Sequence, residues 1–254
     1  MYQIQEYVLN LPESQPVSLA RRRYDSTRRK EQARALRRRI LEAARKRFLE
    51  DGYAATTLGR IAGDANTSVE TIYKAFGNKP GVLKAVFDFS VAGDDEPVPM
   101  SERDFAHRMR AEPDPREKLR LFAEHMSESM PRAAPVFLLA KAAAASEPEI
   151  RKLFDQWRGG QLSGLENLAG HFETGGHLKV GLTKRKARDL LWTINSTEVY
   201  ELLVLERGWS VEEYRDFLAA SMIDALVDGS GDPLASENHS HQRLDDRDHD
   251  RHQH

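Results

Sequence analysis

The chain has 254 residues, 40% of them hydrophobic and 31% charged, which is enough apolar content for a sizeable core divided between a small head and a larger body. It contains no cysteine, and that excludes disulfides, thiol catalysis, thiolate zinc sites and cysteine redox sensing together. A net charge of -2 hides an asymmetry, since residues 21–47 are crowded with arginine and lysine while 232–254 are acidic and rich in histidine.

Residues 1–20 hold Pro12 and Pro16 and no sustained period, so 1–30 read as a mobile basic arm carrying Arg21, Arg22 and Arg23. A basic stretch ahead of a DNA-reading motif can neutralise phosphates or enter a minor groove; its plainer reading is a solvated charge run. No basic n-region with an apolar run follows Met1, and the longest apolar stretch, 136–145, is too short for a bilayer and contains Lys141. A cytoplasmic protein with no membrane partner is expected. Ala35, Leu36, Ile40, Ala43, Ala44 and Phe48 then mark the amphipathic first helix of a head spanning 31–92.

The stretch 57–76 reads as two short helices joined at one corner. Thr57 can cap the first, whose Leu58, Ile61, Ala62 and Ala65 fall on one face, and Ser68 can cap the second, where Val69, Ile72 and Phe76 face inward. The corner needs a positive φ, which Asn66 accepts more readily than most residues. Gly59 and Gly63 inside the first helix predict close packing or a soft helix, because glycine costs about 1 kcal/mol there relative to alanine. Glu70, Thr71, Tyr73 and Lys74 are left on or beside the outer face, a geometry that fits the DNA major groove.

The run 52–83, with Gly-Tyr-x-x-Thr-Thr, Ile-Ala, Ser-Val-Glu-Thr-Ile-Tyr and Phe-Gly-Asn-Lys, closely resembles the DNA-binding domain of TetR-family transcriptional regulators. The resemblance implies an all-α chain with a three-helix helix-turn-helix head, a larger helical ligand-binding and dimerisation domain, and repression relieved by a small molecule. Asn66 and Thr67 replace the family's usual Gly-Val at the corner. Thr57, Thr71, Tyr73 and Lys79 match family positions that contact phosphates, and Ser68 belongs to the same DNA-facing set. Val69, Glu70 and Lys74 are candidates for base contact, although a carboxylate such as Glu70 repels phosphate unless it accepts from cytosine. Double-stranded DNA is the expected partner, bound by a homodimer at a near-palindromic operator.

Pro80 suits the first turn of a helix joining head to body, and 93–100, with Gly93, Asp94, Asp95, Pro97 and Pro99, breaks the pattern. The body, 101–229, shows helical spacing throughout and no strand-length alternation. Ser101 and Asp104 look like a capping pair. Helices are expected over 116–129, 131–146, 148–172, 184–206 and 211–228, the last capped by Ser210 with Glu213. Residues 230–254 are expected to be a disordered acidic, His-rich tail, for which metal collection is the weaker reading.

Phe122, Met126, Phe137, Phe154, Trp157 and Trp192 recur at helical spacing with Asn195 nearby; most such residues serve a core, and the ligand cavity implied by the resemblance would draw on the same types. Leu202, Leu203, Leu218 and Met222 are expected near a dimer interface, since the segment 198–210 resembles the end of many TetR-like chains. No Gly-rich phosphate loop, Gly-x-Ser-x-Gly or HExxH spacing is present, so neither an enzyme, a cofactor nor a metal site is expected. The rival reading is a helical small-molecule carrier with a vestigial head.

Overall fold

The computed structural model describes residues 19–96 and 98–228, and only the backbone of 19–27. The described residues form helices and connections without a strand. The first part of the expected arm, the side chains of Arg21, Arg22 and Arg23, and the expected tail from 229 onward lie outside the described residues.

Helix α1 (Leu19–Ala55) starts well before the expected end of the arm. This corrects the irregular arm over 19–30: that stretch contains neither proline nor glycine and is rich in good helix formers, so it extends a helix already nucleated by its packed second half. Gly52, at φ 78 and ψ 166, kinks the end of α1. There the Thr56 hydroxyl bonds with the carbonyl oxygens of Gly52 (2.7 Å) and Arg47 (3.0 Å), which secures the turn.

Helices α2 (Leu58–Asp64), α3 (Val69–Phe76) and α4 (Lys79–Ala92) complete the head. Ile40, Leu41, Ala44 and Phe48 of α1 are buried together with Ile61, Ile72, Val82, Leu83 and Val86. That core does not stop at the head. Val136, Phe137, Ala140, Ile150 and Phe154 of the body belong to the same cluster, so the chain leaves helical structure near 93–99 while its apolar core runs through.

Gly93 ends α4 in the left-handed region (φ 80), and Arg103 pairs with Asp94 at 2.7 and 2.9 Å across the connection that follows. Ser101 and Asp104 do not form the expected capping pair: Met100–Glu102 is a single 3-10 turn, and α5 (Asp104–Ala111) begins at Asp104 with Arg103 as an N-cap lacking a side-chain bond. Helix α6 (Pro115–Ala143) is one helix where two were expected, with Pro131 and Pro135 inside it. An interior proline costs about 3 kcal/mol, but Met130, Ala133, Ala134 and Val136 around the two rings are buried, and this packing holds the helix together. Arg132 donates to Glu128 O (2.8 Å) and across to Ser90 O (3.2 Å) at the end of α4.

Helix α7 is Pro148–Thr174 and α8 is Lys184–Ile194. The expected single helix over 184–206 is broken at Asn195 and Ser196, where the Ser196 hydroxyl caps α9 (Thr197–Tyr200) by accepting from Val199 N at 3.3 Å. Three short polar side chains in a row offer the backbone alternatives to helix. A π-helical turn, Glu201–Glu206, continues α9. Helix α10 (Val211–Leu226) has the expected capping box, with Ser210 N donating to Glu213 Oε2 at 2.7 Å. Leu119, Leu165, Leu191, Tyr214, Leu218 and Met222 form a second core in the body. Leu218 and Met222, expected at a surface for dimer contact, are therefore fully buried; they lie on the inner side of α10.

Candidate nucleic-acid interface and ligand cavity

The corner between α2 and α3 is built by its caps. Thr57 Oγ1 accepts from Arg60 N at 3.3 Å, and Ser68 Oγ accepts from Thr71 N at 3.2 Å. Between them Asn66 N bonds to Gly63 O (3.2 Å) and Thr67 N to Ala62 O (3.0 Å), the double closure of a Schellman turn. Asn66, at φ 48, is the only non-glycine residue with positive φ among the described residues, as the corner required. Gly59 and Gly63 are not closely packed, against one of the two readings offered for them: a Cβ on Gly63 would meet nothing within 4 Å, and one on Gly59 only Thr57 Oγ1 at 3.9 Å.

On α3, Ile72 is buried and Val69 and Phe76 are half-buried against the head core. Val69 is thus turned partly away from the base-reading role expected of it, since its apolar surface is taken up by packing. Glu70, Tyr73 and Lys74 are exposed, Tyr73 to 55%. The Glu70 carboxyl is held below the usual range by its own backbone amide first and then by the Ser68 hydroxyl, so it serves the helix N-terminus, where negative charge is favoured. Lys79 is placed differently from the phosphate contact expected of it. Its ammonium donates to Tyr53 O (2.9 Å) and Thr56 O (3.1 Å) and sits 4.2 Å from the Tyr53 ring centroid, neutralising the carbonyl end of α1.

Two further contacts fix the motif on the head. Arg47 of α1 reaches Asp64 at the end of α2 with Nη2–Oδ1 at 2.9 Å and Nε to the other oxygen, and this bond is the first cause of the lowered Asp64 pKa. The Arg37 guanidinium lies 4.7 Å from the Phe76 ring centroid. At the turn into α4, Gly77 adopts φ 79, and a Cβ on Gly81 would stand 2.0 Å from Phe76 O. Sequence reasoning missed the structural need for Gly81, which only the backbone approach reveals.

Behind the head, a cavity of about 690 Å³ opens between α4, α5, α6 and α7. Phe122, Met126, Phe137, Trp157 and Asn195, all candidates for ligand contact, line it. Phe154 and Trp192 do not: Phe154 is buried behind Phe137 with ring centroids 4.8 Å apart, and Trp192 lies under the Arg158 guanidinium at 5.0 Å. Phe87 and Val91, one turn apart on α4, and Phe105 and Met109 on α5 complete the wall, none of them anticipated as ligand contacts. His125 stacks on Phe105 at 3.8 Å, and its pKa is lowered by burial and then by Arg132 and Arg103, which favours the neutral ring. Leu202 (53% exposed) and Leu205 (51%) stand out on the π-helical turn, with Leu203 half-buried beside them.

Residues 40–86, which carry the helix-turn-helix and its supports, match the family described as bacterial regulatory proteins, tetR family. A stretch of 53 residues is 43% identical to the uncharacterized HTH-type transcriptional regulator YvkB of Bacillus subtilis (strain 168), covering 21% of this chain and 28% of that protein. The head is thus similar to the DNA-binding domain of the TetR family. The likeness of fold extends beyond the head. The transcriptional regulator FadR of Bacillus subtilis in complex with stearoyl-CoA superimposes with a TM-score of 0.58 at 21% identity, over 73% of this chain and 96% of that one. NalD, the secondary repressor of the MexAB-OprM multidrug efflux pump in Pseudomonas aeruginosa, does so with 0.60 at 20% identity, over 79% and 100%. A regulator from Saccharomonospora viridis in complex with choline gives 0.59 at 20% identity, over 76% and 98%. At these identities the likeness is one of fold. Among the described residues, no helix is long and apolar enough to cross a membrane.

Proposed function

We propose that this chain is a TetR-family DNA-binding transcriptional regulator, a repressor that binds a near-palindromic operator as a homodimer and responds to a small-molecule effector. The observation that carries the reading is the capped α2–α3 corner, which holds α3 by its inner face and leaves Tyr73 and Lys74 exposed on the other. Ser68 and Thr71 stand at the start of α3 and Thr57 at the start of α2, all suited to phosphate contacts, while Lys74 is an exposed cation on α3 for base or phosphate. The basic face of α1 adds sequence-independent attraction to the duplex. Leu202, Leu203 and Leu205 offer apolar surface for pairing with a second copy, whose two-fold symmetry would match a palindrome.

The effector reading rests on helix α4. Its first turn meets the helix-turn-helix at Phe76, its later residues Phe87 and Val91 form cavity wall, and its end is tied to α6 by Arg132. An apolar molecule in the cavity shifts operator binding only to the extent that it prefers one placement of α4 over another, and the coupling is reciprocal. Selection of bound fragments from a random DNA pool, followed by gel shifts across a salt series, tests the function. Recovery of a two-half-site sequence whose affinity falls with salt supports it; retention of no sequence above background overturns it.

A further inference from the structure

Two buried polar atoms of the cavity lining have no hydrogen-bond partner: Trp157 Nε1 and Asn195 Oδ1. Asn195 is 1% exposed and sits in the break between α8 and α9, where its backbone N–H donates to Leu191 O at 3.0 Å while its carboxamide oxygen is left over. Trp157 is held by stacking on Phe87, with ring centroids 3.9 Å apart. Both line the same cavity, and Arg158, next to Trp157, lies over Trp192, about one turn before Asn195, so α7 approaches the α8–α9 break here. A buried donor and a buried acceptor left unmade are costly, and a dry apolar wall would not retain them without a matching group.

The charges lie elsewhere. No aspartate or glutamate lines the cavity; of the lining cations, Arg110 is engaged with Ser101 O, and Lys118 sits about 28 Å along α6 from Phe137, whose ring packs toward Phe87 and hence toward Trp157. The lining around Trp157 is therefore aromatic and free of carboxylates, and beside the polar side chains of Gln156, Gln161 and Thr197 it leaves one buried donor and one buried acceptor unsatisfied. A hydroxyl group answers both: its oxygen accepts from an indole N–H, and its own proton goes to a carbonyl oxygen.

We propose that the cavity takes an uncharged, hydroxyl-bearing apolar molecule, with its hydroxyl between Trp157 Nε1 and Asn195 Oδ1 and its apolar body against Phe87 and Phe137. The assignment rests on the effector reading above and names the chemistry of that site.

The test is calorimetric titration of the full chain with 2-naphthol and with 2-methylnaphthalene, which has nearly the same shape but no hydroxyl. The wild-type chain is expected to bind 2-naphthol about tenfold more tightly, the size of one well-made buried hydrogen-bond pair. Trp157→Phe and Asn195→Leu, each checked for native helicity by circular dichroism, should reduce that preference, read as the ratio of the two affinities within each variant, to near one. Equal wild-type affinities, or a preference that survives in both variants, overturn the hydroxyl assignment and leave the ligand cavity standing. Binding of neither probe overturns the ligand cavity as well.

Discussion

Asn66 carries the helix-turn-helix corner because its backbone must sit at φ 48 while Thr67 N and Asn66 N close on α2. Asn66→Gly should be tolerated, whereas Asn66→Val should cost the head about 1–2 kcal/mol, since a β-branched side chain fits the left-handed region poorly. Equal thermal midpoints for the two variants would remove the corner from this role. Two glycines make an opposed pair nearby. Gly81→Ala drives a Cβ to 2.0 Å from the Phe76 carbonyl, which belongs to backbone and has little room to give, so a loss of about 1–3 kcal/mol is expected. Gly63→Ala meets open space and replaces a poor helix former with the best, so denaturant melts should show a gain of up to about 1 kcal/mol.

Among the elements, α10 and the π-helical turn before it separate what is core from what is surface. Leu218 is fully buried against the body, so Leu218→Ala should cost about 2–5 kcal/mol in urea unfolding. Leu202→Asp alters an exposed position and should change stability by less than about 0.5 kcal/mol, yet light scattering should show monomers in place of dimers. A wild-type chain that is already monomeric at micromolar concentration would end the dimer reading. The connection between α4 and α5 carries a pH signature. The Arg103 guanidinium beside Asp94 is the main reason its carboxyl is held down at about 2, against an ordinary 3.8. With the folded value below the unfolded one, the stabilisation is complete above the ordinary value and is lost as pH falls from about 4 to 2. Acid melts of wild type and Asp94→Asn should converge in that window and diverge above it; parallel curves would show that the pair contributes nothing.

For the molecule as a whole, one apolar core joins head and body, so the DNA-facing helices and the cavity share a mechanical frame through α4. Electrostatics adds a longer reach. Replacing Arg21, Arg22 and Arg23 by alanine keeps helix-forming residues in that stretch of α1 and removes three cations per subunit without touching the packed part that begins near Leu36. Each neutralised phosphate contributes about 0.9 to the slope of log affinity against log salt, so for the proposed dimer the slope should become shallower by roughly 2 to 5 with little change in stability. A salt titration of both proteins on one operator that gives identical slopes would return these arginines to a solvated helix face.

Features governed by local chemistry are written in the residues themselves. Thr57, Asn66, Ser68 and the Ser210–Glu213 box mark helix ends through bonds made within a few residues, and apolar spacing on α2 and α3 separates inner from outer faces, so the helix-turn-helix was legible without coordinates. Features that depend on distant atoms emerge only from the packing. Pro131 and Pro135 are breakers by local rule, yet burial of their neighbours keeps α6 whole. Leu202 and Leu218 are both leucines on amphipathic helices, and only the packing of α10 onto the body makes one surface and the other core. Trp157 and Trp192 are likewise indistinguishable as letters. One lines the cavity, and the other is covered by Arg158, because a cavity is a property of how helices from several parts of the chain pack.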